Sequence, residues 1–349
     1  MEIDVLNRRN ALRVTAIGGA ALLGPLAPWL EPLADGQLSG RSGAFAVAEV
    51  EAVEHLVATF RQWEQPGAAA SGLGRTAVVG QLSDLSERLR GAPSGPLTDR
   101  GFLMAAELAK IAASMAFDSG AHRIAQHHYV TAVRMAKAGG DSSFGAGALA
   151  LLAKQSFDLR APDDGLEIVH LAQRGTRNSA TPGLRSLLAV REAWGHAQRG
   201  NAHAFAWAVD GAEQSHADCD PEREPHWLHV FDAAELAGAI GAMYRDLALH
   251  DRRQTHHAVD YLGRALALRD PALTRNRAMD FVSLGRVHLL TKEPELSAVM
   301  VRSALPLLDP HRAGRLGRKL ADWHREAAPF TAVPEVQDMR EQTRELVSL

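Results

Sequence analysis

The sequence predicts an all-α chain of tetratricopeptide-like helical hairpins stacked into a right-handed solenoid. Three observations carry that expectation. Beyond Val47, apolar residues recur at spacings of three and four along nearly the whole chain; no run alternates as a strand would; and Pro/Gly/Ser-rich breaks cut the chain into segments one or two helices long. The breaks are "GAPSGP" (91–96), "APDDG" (161–165), "CDPEREP" (219–225) and "RDPA" (269–272). This divides the chain into a tail or linker over 1–46, repeats over 47–310 and capping helices over 311–349.

Composition bounds the class. With 349 residues, 46% of them hydrophobic and 23% charged, the chain can bury a sizeable core, and its net charge of −3 argues against a chain-wide electrostatic footprint for nucleic acid. Cys219 is the single cysteine, so no internal disulfide forms and nothing points to an oxidising compartment. The tail admits two readings. Arg8-Arg9, Leu12-Arg13 and the apolar run Val14 to Leu30 have the features of a twin-arginine export signal, with Ala44-Phe45-Ala46 as a small-residue cleavage triplet. Against export, Pro25, Pro28 and Pro32 interrupt the run, Glu31 closes it, and the triplet lies beyond Arg41. A membrane span is rejected, because about 17 residues carrying two prolines and three glycines fall short of the roughly 20 apolar residues that a bilayer asks for.

The repeats begin with Val50, Val53, Leu56, Val57 and Phe60 on one helix face, which Trp63 continues. Within "ELAKIAASMAFDSGAHRIAQHHYVTAVRMAKAGGD", Ala113 takes the place of the close-contact glycine and Gly120 makes the turn. Ala125, Tyr129 and Ala132 are then the small, large and small positions of the second helix. Looser copies run from Ala193 to Ala212 and through Gly241, Tyr244, Ala258 and Ala265, the latter with a longer inter-helix loop. "FVSLGRVHLLTKEPELSAVMVRSALPLLDP" gives the best match: Leu284-Gly285 for close approach, His288 in the aromatic place, Ala304 as the small contact and Pro310 after the helix. The unit recurs roughly every 40 residues.

"FRQWEQPG", "RTAVVGQLSDLSERL", "MAFDSGAHRIAQHHYVTAVRMAKAGGD", "EPHWLHVFDAAELAGAIGAMYRDL" and "VDYLGRALAL" together resemble the tetratricopeptide-like region of actinobacterial regulators that carry an N-terminal helix-turn-helix. The resemblance spans about residues 47 to 349. In that family a stretch similar to "NRRNALRVTAIGGAALL" sits between the DNA-binding module and the repeats. The family's DNA-binding helices have no counterpart in these residues, so the resemblance implies the sensing or partner-binding half, without direct DNA binding.

A survey for chemistry leaves no strong candidate. There is no Walker-type loop or nucleophile elbow, and "GAAASGLG" (67–74) follows a helix and reads as a connection. Asp232 and Glu235 stand three apart, as an acid pair or any solvated helix face would. His216, Cys219, His226 and His229 have zinc-ligand residue types, but the prolines and carboxylates among them favour a surface loop, so no metal and no cofactor is assigned. Trp227 and Phe231, four apart, read as buried helix anchors. His127-His128 and His256-His257 are expected at solvent-exposed edges.

Binding is then the expected role. The first helix of each repeat should line a concave groove, and the groove-facing places fall on Glu107, Lys110, Ser114, Arg286 and Leu289. Their mixed charge suits a peptide or protein partner, and self-association into a homo-oligomer fits small repeats as well. The basic stretch "HRAGRLGRKLADWHREAAPF" places Arg312, Arg315, Arg318 and Lys319 together, while Leu316, Leu320 and Trp323 recur at helical spacing; it reads as a capping helix rather than a DNA contact. Val336, Met339, Leu346 and Val347 mark one more amphipathic helix. The expectation is a non-enzymatic cytoplasmic regulatory or interaction protein, the alternative a twin-arginine-exported binding protein.

Overall fold

The computed structural model describes residues 16–30, 46–64, 72–308 and 314–346. Arg8, Arg9, Leu12, Arg13, Val14, Glu31, Pro32, Arg41, Pro310, Arg312 and Val347 lie outside them, as do the side chains of Trp63 and Leu346. Among the described residues the chain is helical with no strand. It forms two compact units, Met1–Ala180 and Thr181–Leu349.

The first unit starts with a short helix α1 (Ala20–Leu23) that tightens into a 3-10 helix (Gly24–Leu30), then α2 (Val47–Glu64) and α3 (Gly72–Leu89). Two hairpins follow: α4 (Pro96–Asp118) with α5 (His122–Ala138), and α6 (Ser142–Asp158) with α7 (Pro162–Gly175). The second unit repeats the pattern in α8 (Pro182–Gln198) with α9 (Ala202–Ala217), α10 (Ala233–Leu247) with α11 (Thr255–Leu268), and α12 (Thr274–Leu290) with α13 (Pro294–Ala304). Helices α14 (Gly314–Glu326) and α15 (Pro334–Leu346) pack on α12 and α13.

Consecutive helices pair because their turns are short and conformationally fixed. Only three residues separate α4 from α5, α5 from α6, α6 from α7, α8 from α9 and α12 from α13. The middle residue is left-handed each time: Gly120 (φ 79°), Gly140 (φ 78°), Arg160 (φ 60°), Gly200 (φ 70°) and Lys292 (φ 60°). Glycine adopts that conformation freely, whereas Arg160 and Lys292 adopt it at a steric cost of about 1–2 kcal/mol that the packed helices offset. Asp141, Thr181, Asn201 and Asp232 cap the helices that follow them by accepting from a backbone N–H three residues on.

Small residues let the paired helices close. A side chain at Gly285 would meet Val301 Cγ2 at 2.9 Å, and one at Gly241 would meet Leu262 Cγ at 2.8 Å. Ala125, Tyr129, Ala132, Ala258, Ala265 and Ala304 are buried. The hairpin α6–α7 was not anticipated: "APDDG" is a helix start rather than a break, with Pro162 in the first turn followed by Asp163 and Asp164 at the positive end of the helix dipole. Gly165 there lies flat on Phe157, whose ring occupies the space a side chain would need.

Candidate functional site

Three of the five first-helix positions expected to line an open groove are covered. Glu107 is buried on α4, where it accepts from Arg61 of α2 at 2.5 and 2.7 Å. On α12, Arg286 is buried and Leu289 belongs to the apolar cluster around Val301 and Trp323. Lys110 and Ser114 keep partial exposure. The prediction that these residues face a groove is therefore corrected for Glu107, Arg286 and Leu289. Flanking helices 40 residues or more away in sequence close over that layer, and periodicity within a hairpin carries no trace of them.

In the second unit the same layer holds a polar network. Glu326 of α14 accepts from Arg286 at 2.9 and 2.6 Å and from Arg245 of α10 at 2.7 Å. Arg245 also donates to Asp246 at 3.1 Å, and Asp246 accepts from the indole of Trp194 at 3.1 Å. Burial raises the Glu326 carboxyl, but the hydrogen bond from Arg286 and the charges of Arg245 and Arg286 outweigh it and hold its pKa below the ordinary value. Further along, Arg269 bridges Asp280 of α12 at 2.7 Å and Glu235 of α10 at 3.1 Å. Desolvation dominates for Asp280, and because Arg269 is shared with Glu235 the carboxyl is pushed up to about 6.

These two carboxylates give opposite signs. Asp280 holds its proton more tightly folded than unfolded, so its contribution is complete below the ordinary carboxylate range and lost as pH rises through about 6. Glu326 binds its proton less tightly when folded, so its contribution is complete above that range and lost on acidification. Denaturation of the second unit, titrated with pH, is expected to show Asp280→Asn removing the loss between about pH 4 and pH 6 while leaving the acid limb in place.

The zinc-type residues each make other contacts. His216 packs edge-on against Phe231, with ring centroids 5.8 Å apart, and the Cys219 sulfur lies 3.6 Å from Glu224 Oε1. The His229 Nε2 meets the Glu224 carbonyl oxygen at 3.1 Å, while His226 opens a 3-10 turn. Burial and the Glu224 carboxylate push the Cys219 thiol up, away from the thiolate that a ligand or nucleophile needs. No group of three His, Cys, Asp or Glu among the described residues is arranged to hold a metal. Glu224, read as a solvated carboxylate, is instead buried and caps α8, accepting from Gly183 N–H at 2.8 Å and from the Thr181 hydroxyl.

Trp227 and Phe231 are not helix anchors. Trp227 sits half-buried in the 3-10 turn, Phe231 is buried in the loop after it, and α10 begins only at Ala233, where Asp232 caps it. Asp232 and Glu235 are likewise no acid pair: Asp232 Oδ1 accepts from Glu235 N–H at 2.7 Å, and the Glu235 carboxylate binds Arg269. His128 is half-buried in the middle of α5 rather than at an edge, and burial lowers its pKa. In the capping region, Leu316, Leu320 and Trp323 are buried as expected, and Lys319 donates to Ser283 at 2.9 Å.

A groove filled by the chain's own N-terminal segment lies elsewhere, between α5 and α7, the second helices of two consecutive hairpins. Residues 17–29 run along both. The Gln126 side chain pairs with the backbone of Ile17 in both directions, at 2.8 and 2.7 Å; Arg134 donates to the Pro25 carbonyl at 3.4 Å and Lys137 to that of Pro28. On the α7 side, Asp164 Oδ2 accepts from Gly19 N–H at 3.0 Å. Leu22, Leu26 and Trp29, spaced four and three apart, are all buried. The Trp29 ring lies on two glycines: a side chain at Gly145 would sit 2.2 Å from its Cη2, and one at Gly175 would sit 2.3 Å from its Nε1. Residues 17–29 of the stretch that reads as an export signal thus pack within the first unit.

No protein-family model matches the chain, and no curated protein sequence matches it. No helix among the described residues is long and apolar enough to cross a membrane.

Proposed function

We propose that this chain is a non-enzymatic interaction protein whose tetratricopeptide-like hairpins, wound as a right-handed solenoid, bind a peptide or protein partner in transcriptional or developmental regulation. The observation that carries this reading is the α5–α7 groove, in which four side chains hold the backbone of a short helical segment while that segment's apolar side chains are buried against the groove. Stacked helical repeats present extended binding surfaces, and a helix laid in such a groove is held by apolar anchors at i, i+3, i+4 and i+7. The resemblance to the repeat region of helix-turn-helix regulators supports the regulatory setting.

We read the protein as cytoplasmic, and the same groove supports that reading, because removing residues 16–30 with a leader would strip Leu22, Leu26 and Trp29 from the first unit. Export remains the second reading, favoured by Arg8-Arg9 and the apolar run after it. The regulatory reading is tested by transcript profiling of a deletion strain complemented with the wild-type gene or with a Gln126→Ala, Asp164→Ala double variant. A discrete set of transcripts should shift on deletion and return only with the wild-type gene. An unchanged profile would overturn the reading.

A further inference from the structure

We propose that the α5–α7 groove is a recognition site for an apolar helical segment of a partner protein, and that residues 17–29 are its resident competitor. This rests on the interaction-protein reading and names its site and the chemistry of its ligand.

The groove is polarised for a helix running parallel to α5 and α7. Asp164 accepts at the start of the bound segment, whereas Arg134 and Lys137 donate near its end. A negative group at the N-terminal end and positive groups at the C-terminal end complement the helix dipole. Every polar contact just named goes to the segment's backbone, so side-chain selection falls to the three apolar positions at i, i+4 and i+7. That is the anchor pattern of a helix laid in a groove.

The resident fits imperfectly. The indole Nε1 of Trp29 is buried without a hydrogen-bond partner, and Pro25 and Pro28 divert the segment from α-helix into a 3-10 turn after only four residues. A partner whose third anchor is phenylalanine or leucine on a regular helix leaves no donor stranded and outcompetes it. A second copy does not, because its identical segment carries the same mismatch and lacks the high effective concentration that tethering gives the resident.

The experiment uses the full chain and fluorescently labelled peptides of residues 16–30, one with the native sequence and one with Trp29→Phe, followed by fluorescence anisotropy. Emptying the groove with Leu26→Asp should strengthen binding of the native peptide at least about tenfold over the wild-type chain. The gentler Trp29→Ala, which withdraws one anchor only, should act in the same direction if Leu26→Asp perturbs folding. The Trp29→Phe peptide should bind tighter than the native one, and Gly145→Leu, which fills the Trp29 seat, should abolish both. Equal affinity for emptied and wild-type chains, or binding that survives Gly145→Leu, would overturn the site. A dimer with exchanged segments would overturn the partner assignment in favour of a second copy. Any of these failures leaves the transcript test to judge the regulatory reading on its own.

Discussion

Replacing Glu326 by glutamine is expected to destabilise the second unit by about 3 kcal/mol, the low end of the cost of breaking a buried ion pair. The carboxylate is the shared counter-charge of Arg245 and Arg286, whose side chains are only 6% and 8% exposed. Glutamine keeps one acceptor but removes the charge, leaving two guanidiniums buried beside one another with Asp246 and Asp322 as the remaining counter-charges. The partial exposure of Glu326 itself, 29%, holds the effect to the low end. Hydrogen exchange should place the loss in α10, α12 and α14 while the first unit keeps its protection. Unchanged protection there would mean that the network contributes nothing net.

Trp323→Ala is expected to cost about 3–5 kcal/mol, as truncation of a large buried aromatic does. Trp323 is fully buried in the cluster with Ala298, Val301, Leu316, Leu320, Val336 and Met339, and its Nε1 donates to Ser297 at 2.8 Å. Trp323→Phe separates the two contributions: it retains most of the apolar contact and strands the Ser297 hydroxyl, for an expected loss of about 1 kcal/mol. Equal losses for the two variants in chemical denaturation would assign the effect to the hydrogen bond. If neither variant had an effect, α14 would not be part of the second unit's core.

What was legible in the sequence is what depends on residues close together in it. Gly285 and Gly241 mark hairpin contacts whose partners lie within one repeat, so spacing alone identifies them, as it does the buried places of Ala125, Tyr129 and Ala304. Pro162 misled because proline both breaks and begins helices; the two acidic residues after it decide for a beginning. Trp227 and Phe231 fit a helical spacing across a stretch that Pro225 and the Asp232 cap turn into a 3-10 turn and loop. The closed faces over Glu107 and Arg286, and the groove that holds residues 17–29, depend on partners 40 to 145 residues away, for which a local pattern carries no signal. The apolar, glycine-rich and proline-broken stretch that reads as an address is equally the composition of a segment that nestles against Gly145 and Gly175.

The cytoplasmic reading requires residues 17–29 to stay in the mature protein as a folded part of the first unit. The direct measurement is the mass of the N-terminal peptide of the protein recovered from the cytosol and from the culture medium of the native organism. A cytosolic chain that retains Leu22, Leu26 and Trp29 is expected. A mature chain beginning near Val47 in the medium would contradict it and leave the α5–α7 groove without its resident.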